Sequence, residues 1–317
     1  MDRRTIEDYR AMMADAVRMA AYQKAIAAVC SGKVVCEIGV GLAPLSLMAL
    51  RAGATRVYGI ECSADTLAVA TQLIADNGYR PDRFIPVHGF STKISLPERV
   101  DVLLSETLDS MGIGENTAVY MADAQARLMK PDAVFLPASL DCQVALASPD
   151  GYASEMAFWN ETMPSVYGFD YARAGEQFKN CKHTLSISND ELLSGWVPWQ
   201  TIDFLDNATY RRLVPLLIPV TRAGTILGFA TAFDAKLSAS VHLRTFPDDP
   251  ETHWHQGFNA FPQPIEAEVG DVVYMELQIE PGDTPAIRFE MRVVCGKEAE
   301  VSAFVRQRMV ALKDQML

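Results

Sequence analysis

The chain has 317 residues, 49% hydrophobic and 21% charged, the balance of a soluble globular protein with one large domain or two moderate ones. Its net charge of −12 argues against DNA or RNA as a partner, because phosphate binding needs a basic surface, and suits a cationic substrate. Nineteen arginines against nine lysines fit a GC-rich bacterial genome, and six scattered cysteines (30, 36, 62, 142, 181, 295) without a CxxC pair read as reduced core residues in a cytoplasmic protein, not as a disulfide framework or zinc site.

The opening MDRRTIEDYR is charged and has no apolar h-region, so no secretory signal is expected. Residues 6–29 carry apolar side chains at helical spacing and predict one helix. KVVCEIGVG (33–41) predicts a strand ending in glycines, PLSLMALRAGA (44–54) a helix stopping at Gly53, and RVYGIE (56–61) a strand ending in an acid. A capped helix follows in SADTLAVATQLIADNGY (63–79), then strands in RFIPVHG (83–89) and RVDVLLSE (99–106). This alternation predicts an α/β fold with a doubly wound parallel sheet, whose ligands sit at the C-terminal ends of the strands. Gly39, Glu61 and Glu106 fall at such ends.

After PDAVFLPASL (131–140) the texture changes. DVVYMELQIE (271–280) and AIRFEMRVV (286–294) alternate as antiparallel strands do, with the turn PGDTP (281–285) between them. Val273, Met275, Leu277 and Ile279 would face inward, with Tyr274, Glu276 and Gln278 on the outer face. A domain boundary is therefore expected near Pro137, giving domains 1–137 and 138–317. The apolar stretch 213–233 is broken by Pro215, Pro219 and Arg222, which argues against a membrane span. Residues 167–196 fit neither pattern and read as an inserted arm.

The chemistry concentrates in SETLDSMGIGENT (105–117), where Glu106 and Glu115 stand nine positions apart with Asp109, Gly112 and Gly114 between them. Glycines let such a loop fold back on itself, and a pair of carboxylates suits a guanidinium, which is planar, protonated at physiological pH and bound fork on fork. An exposed acidic loop that binds nothing is the plain alternative. EIGVGLAP (37–44), with Glu61 twenty residues past Gly41, resembles a mononucleotide-binding turn. Pro44 replaces the third glycine of the dinucleotide fingerprint, which serves close helix–strand packing. S-adenosylmethionine (SAM), which has no pyrophosphate to cradle, therefore fits better than NAD; a purely structural turn is the remaining reading.

Taken together, these segments resemble the protein arginine methyltransferase family. The segment 105–116 is similar to that family's double-glutamate loop, THWHQ (252–256) to its Thr-His-Trp loop, residues 9–26 to its cofactor-covering helix, and VYGFD (166–170) to the start of its dimerisation arm. ETLDSMGIGEN and HGFST (88–92) look closest to the branch that makes only monomethylarginine. The resemblance implies a Rossmann-like SAM-binding sheet followed by an antiparallel β-barrel-like domain, with a helical arm over about 166–207 and a homodimer.

It also implies roles. Glu106 and Glu115 would clamp the substrate guanidinium, and Asp15 with His253 would form the proton outlet. Arg18 would pair with the SAM carboxylate, Gly39 and Gly41 line its methionine part, Glu61 bind the ribose, Ser91 and Thr92 border the adenine, and Met12 touch the cofactor. Tyr9, Trp254 and Gln256 would wall the acceptor site, and Asp109 would crowd it, limiting the product to monomethylarginine. Departures are Ala43 at the third glycine of the family's GxGxG, a change expected to cost little, Glu37 where aspartate is usual, and Thr92 where glutamate is common. Of the aromatic residues usual ahead of the first helix only Tyr9 is present, which implies a thinner lid. His253 and His255 lack the further His or Cys residues that a metal would need. The expected acceptor is free L-arginine or a small arginine derivative, with a peptide arginine as the alternative; a catalytically silent scaffold and an NAD-dependent oxidoreductase are the readings from other classes.

Overall fold

The computed structural model describes residues 3–206, 213–280 and 288–315. The N-terminal run forms two helices, α1 (Arg3–Ala14) and α2 (Ala16–Val29), not one. Asp15 lies between them in extended backbone, and its carboxylate accepts the Arg18 N–H at 2.9 Å, satisfying one of the donors that a helix start leaves open. Arg18, Tyr22, Ala25 and Ile26 are the buried stripe of α2.

Five parallel strands follow: β1 (Val34–Ile38), β2 (Arg56–Glu61), β3 (Phe84–His88), β4 (Val100–Ser105) and β5 (Met129–Leu136). They are ordered β3-β2-β1-β4-β5. The connecting helices are α3 (Pro44–Arg51), α4 (Ala64–Asp76) and α5 (Thr117–Arg127). The chain winds outward from β1 to β3 and then returns to β4, so the topology reverses between β1 and β4. A crevice opens at such a switch point, outside the strand C-termini.

From β6 (Ser139–Ala147) onward the sheets are antiparallel. Helices α6 (Asp150–Ala157), α7 (Met163–Tyr167) and α8 (Ala172–Lys179) form the arm, joined by a π-helical turn over Phe158–Thr162. The helices begin ahead of the expected 166, and the later part of the expected arm belongs to the sheet. There, β7 (His183–Leu185) and β8 (Val197–Asp203) join β6, β10 (Gly224–Ser238), β11 (Val241–Arg244) and β12 (Gln256–Ala267) in a six-stranded sheet. A second sheet holds β9 (Leu213–Pro219), β13 (Asp271–Glu280) and β14 (Arg288–Lys297), and α9 (Glu298–Gln315) closes the chain. The turn at 281–285, residues 286–287 and position 207 at the end of the expected arm lie outside the described residues.

Two expectations change here. Tyr274 and Glu276, assigned to an outer face, are buried, because α9 covers that face: Phe304 packs on Tyr274, and Arg308 bonds Glu276. Only Gln278 of that set is exposed. All six cysteines are free, but Cys62 and Cys181 lie at the surface and not in the core. No helix among the described residues is long and apolar enough to cross a membrane.

Candidate active site

The glycine turn after β1 lies at the switch point. Gly39 and Gly41 both have left-handed backbone (φ 77° and 54°), a conformation glycine adopts without strain. Gly41 must also stay bare, because a Cβ there would lie 2.7 Å from the Tyr9 ring above it. Its N–H donates to Glu61 Oε2 at 3.1 Å, while Glu61 Oε1 accepts the Ser63 N–H at 2.9 Å. A cavity of about 160 Å³ forms here, lined among others by Tyr9, Met12, Arg18, Gly41, Glu61 and Glu106. Buried Glu37, which accepts the Ser46 hydroxyl, also lines it, and burial pushes its carboxyl up to about 8.

Arg18 spans the cavity and the glutamate loop. Its side chain and that of Glu106 are only 5% and 6% exposed, and Nε donates to Glu106 Oε2 at 3.0 Å, with Nη2 on the same oxygen. Nη1 donates to the Met12 carbonyl at 3.2 Å. Burial works against the charge of Arg18, but the facing Glu106 outweighs it and holds the guanidinium pKa above its ordinary value.

Trp254 ties the Thr-His-Trp loop to the glutamate loop, its indole N–H donating to the Leu108 carbonyl at 2.8 Å. Asp15 joins that loop to the start of α2: the His253 N–H donates to Asp15 Oδ2 at 2.8 Å, and the ring Nδ1 lies 2.9 Å from the same oxygen. Burial alone would raise the Asp15 carboxyl, yet hydrogen bonds from Arg18 and His253 outweigh it and hold it below its ordinary value. Burial lowers the His253 pKa despite the hydrogen bond and charge of Asp15.

Glu115 ends the glutamate loop. It keeps a solvent-open face, while the walls on its other side shed water from the carboxyl. Together with the nearby charges of Glu106 and Asp109, this pushes the carboxyl up to about 7. The loop base is fixed by the Thr107 and Thr117 hydroxyls, 2.8 Å apart, and by Thr231 Oγ1 donating to the Ser110 carbonyl at 2.9 Å. Gly112 is left-handed (φ 87°).

Several expected site residues stand elsewhere. Ser91 and Thr92 follow β3, two strands away from β1, and do not line the cavity. Gln256 spends both ends of its amide on backbone, Nε2 donating to Thr245 O and Oε1 accepting the Ile187 N–H. Asp109 turns back into its own loop, accepting the Met111 and Gly114 N–H groups, and pairs with Lys182. Sequence reasoning missed Lys182, the Glu37–Ser46 bond and Tyr22, whose fully buried hydroxyl is unpartnered at the base of Arg18. Glu37 was at least visible at the end of a predicted strand; Lys182 and Tyr22 carried no local signal. Among the described residues no three His, Cys, Asp or Glu side chains form a metal-holding group.

The donor set fits SAM. Arg18 is the one cation among the residues lining the cavity, opposite carboxylates that suit a sulfonium, an ammonium and a ribose diol.

Residues 142–293 match the family model described as the arginine methyltransferase oligomerization subdomain. The chain is 27% identical over 311 residues to a probable protein arginine N-methyltransferase 6 of Arabidopsis thaliana, covering 83% of this chain and 70% of that protein. Along most of its length the chain is similar to protein arginine methyltransferases. A probable histone-arginine methyltransferase 1.4 of the same plant is 28% identical over 285 residues, 84% of this chain and 53% of that protein, so the chain spans about half of that relative. Among solved structures, the Trypanosoma brucei PRMT1 enzyme–prozyme heterotetrameric complex with AdoHcy superposes with a TM-score of 0.78 at 21% identity, covering 92% of this chain and 94% of that one. That likeness shows the fold: a Rossmann-like parallel sheet followed by a barrel-like antiparallel part.

Proposed function

We propose that the protein transfers one methyl group to a terminal nitrogen of an arginine side chain gripped by Glu106 and Glu115, and releases monomethylarginine. The observation that carries this reading is the placement of both glutamates on one braced loop beside the Arg18 cavity. SAM, when bound, supplies a methyl on positively charged sulfur. Arg18 would hold its carboxylate, Glu61 its ribose hydroxyls and Gly39 and Gly41 its amino-acid part, with Met12 beside it. Ser91 and Thr92, which follow β3 outside the cavity, would reach only the far, adenine end of the cofactor.

Two carboxylates orient the acceptor guanidinium and offset the approach of one cation to another. Holding one nitrogen in line with the methyl supplies the near-attack geometry that removes most of the entropic barrier. The attacking nitrogen loses a proton as it gains carbon. Glu115, with a pKa of about 7, is matched to receive it, and His253, held by Asp15, passes it outward. Tyr9 and Trp254 close the pocket, while Gln256 acts through the backbone it ties together. Asp109 braces the loop, so the monomethyl product rests on the likeness of residues 106–116 to the monomethylating branch and not on crowding.

The relatives' names favour an arginine within a protein as the acceptor. Free L-arginine, suggested by the composition, is the second reading. Exposed apolar side chains on the arm, Val166, Tyr167 and Phe169, favour a homodimer, each protomer built from a cofactor domain over 1–137 and a substrate domain over 138–317. The test is to incubate wild type and Glu115→Gln with SAM and either free arginine or a glycine- and arginine-rich peptide. Wild type should yield monomethylated peptide, and Glu115→Gln should lose ~10²–10³-fold in kcat/KM while binding S-adenosylhomocysteine like wild type. Glu115 is the better target, since removing Glu106 strands the buried Arg18 charge. Dimethylated product as the main species, or unimpaired Glu115→Gln, would sink the reading.

A further inference from the structure

Lys182 stands in the short link between α8 of the arm and β7. Its ammonium reaches Asp109 Oδ2 in the glutamate loop. The other oxygen of Asp109 accepts the N–H groups of Met111 at 3.0 Å and Gly114 at 2.8 Å. Gly114, directly before Glu115, has no room for a side chain, because a Cβ would fall 1.7 Å from Asp109 Oδ2. The Asp109 carboxylate is therefore the internal brace of the segment that delivers Glu115. Beyond Lys182, β7 pairs with β12 through Leu185 and Gln256, so the lysine is carried on backbone fixed next to the Thr-His-Trp loop.

We infer that Lys182 is a positioning residue for Glu115, acting through Asp109: it holds the brace in place and balances the third negative charge of the loop. The arm is thereby connected to the acceptor pocket by one ion pair. This inference rests on the proposed role of Glu115 in gripping the acceptor. Lys182 is 40% exposed while Asp109 is 11% exposed and keeps the Met111 and Gly114 N–H donors without the lysine, so a half-exposed ammonium adds little to folding and its contribution falls on geometry and charge at the site.

The charged and titratable groups facing Glu115 are Glu106 and Asp109 from its own loop, Lys182 from the arm link, Tyr9 from α1 and Tyr120 from α5. Glu106 and Asp109 raise its carboxyl and Lys182 lowers it. Removing the lysine and removing the aspartate charge therefore have opposite signs, which loss of packing would not produce.

The experiment is the pH profile of kcat/KM for methylation of an arginine peptide by wild type, Lys182→Ala, Lys182→Arg, Asp109→Asn and Glu115→Gln, with thermal unfolding as control. Lys182→Ala should unfold within ~2 °C of wild type and shift the acidic limb to higher pH, losing ~3-fold or more at pH 6.5, chiefly through KM. Lys182→Arg should restore the profile, and Asp109→Asn, which keeps the acceptor oxygen, should shift the limb to lower pH. An unmoved limb in Lys182→Ala, or a shift of the same sign in Lys182→Ala and Asp109→Asn, overturns the inference. If Glu115→Gln keeps wild-type KM for the peptide, the guanidinium grip itself is wrong. If it loses activity while Lys182→Ala does not move the limb, only the lysine's role is wrong.

Discussion

Glu106 and Glu115 share a loop but not an environment. Glu106 faces the buried guanidinium of Arg18, whereas Glu115 looks toward two other carboxylates and is pushed up to about 7 by the loss of water and by their charges. The proposed grip on a guanidinium requires Glu115 ionised, and ionisation is lost as pH falls through its pKa, so on that proposal kcat/KM should fall about tenfold per unit below pH ~7. A profile flat from pH 8 to 5.5 would remove Glu115 from the acceptor grip. The spacing of the two glutamates and the glycines between them was legible in the sequence, because a loop that bends back must be local. The partner of Asp109 was not, since Lys182 lies 73 positions away and only the packing of the arm link brings it near.

At the scale of elements, two local features had tertiary causes. Residues 6–29 carry helical spacing throughout and contain neither glycine nor proline, so nothing in them announces a break. The break at Asp15 follows from a cap and from His253, 238 positions away. Ala43 was expected to replace a glycine at little cost. It starts α3 in left-handed backbone (φ 62°) and is fully buried, where a side chain costs ~1–2 kcal/mol. Ala43→Gly should therefore stabilise the protein by ~0.5–1 kcal/mol, after the loss of one buried methyl, and raise the urea midpoint. A lower midpoint would mean that the methyl's packing outweighs the strain.

At the scale of the whole molecule, the C-terminal helix turns an apparent half-exposed strand into a buried one. Glu276, with a side chain 5% exposed, accepts both Arg308 donors, at 3.0 and 2.7 Å, and the Tyr274 hydroxyl at 2.7 Å. Arg308→Ala should cost ~2–4 kcal/mol by leaving this carboxylate only the Tyr274 hydroxyl and the more distant Arg292, 4.0 Å away, and Arg308→Ala combined with Glu276→Leu should recover much of it. Calorimetry showing equal losses in the single and double variants would reject the pairing argument. By itself, the sequence determined the parallel sheet and its ligand-bearing edge, because alternating strands and helices can close a buried sheet in few ways. It also determined that an acidic loop and a glycine turn meet at that edge. Tertiary structure alone decided which acid pairs with Arg18 and which braces the loop, which helix breaks and which strand face is covered. Those outcomes depend on contacts between distant segments, and burial sets both the charge and the orientation of a side chain only once its neighbours are in place.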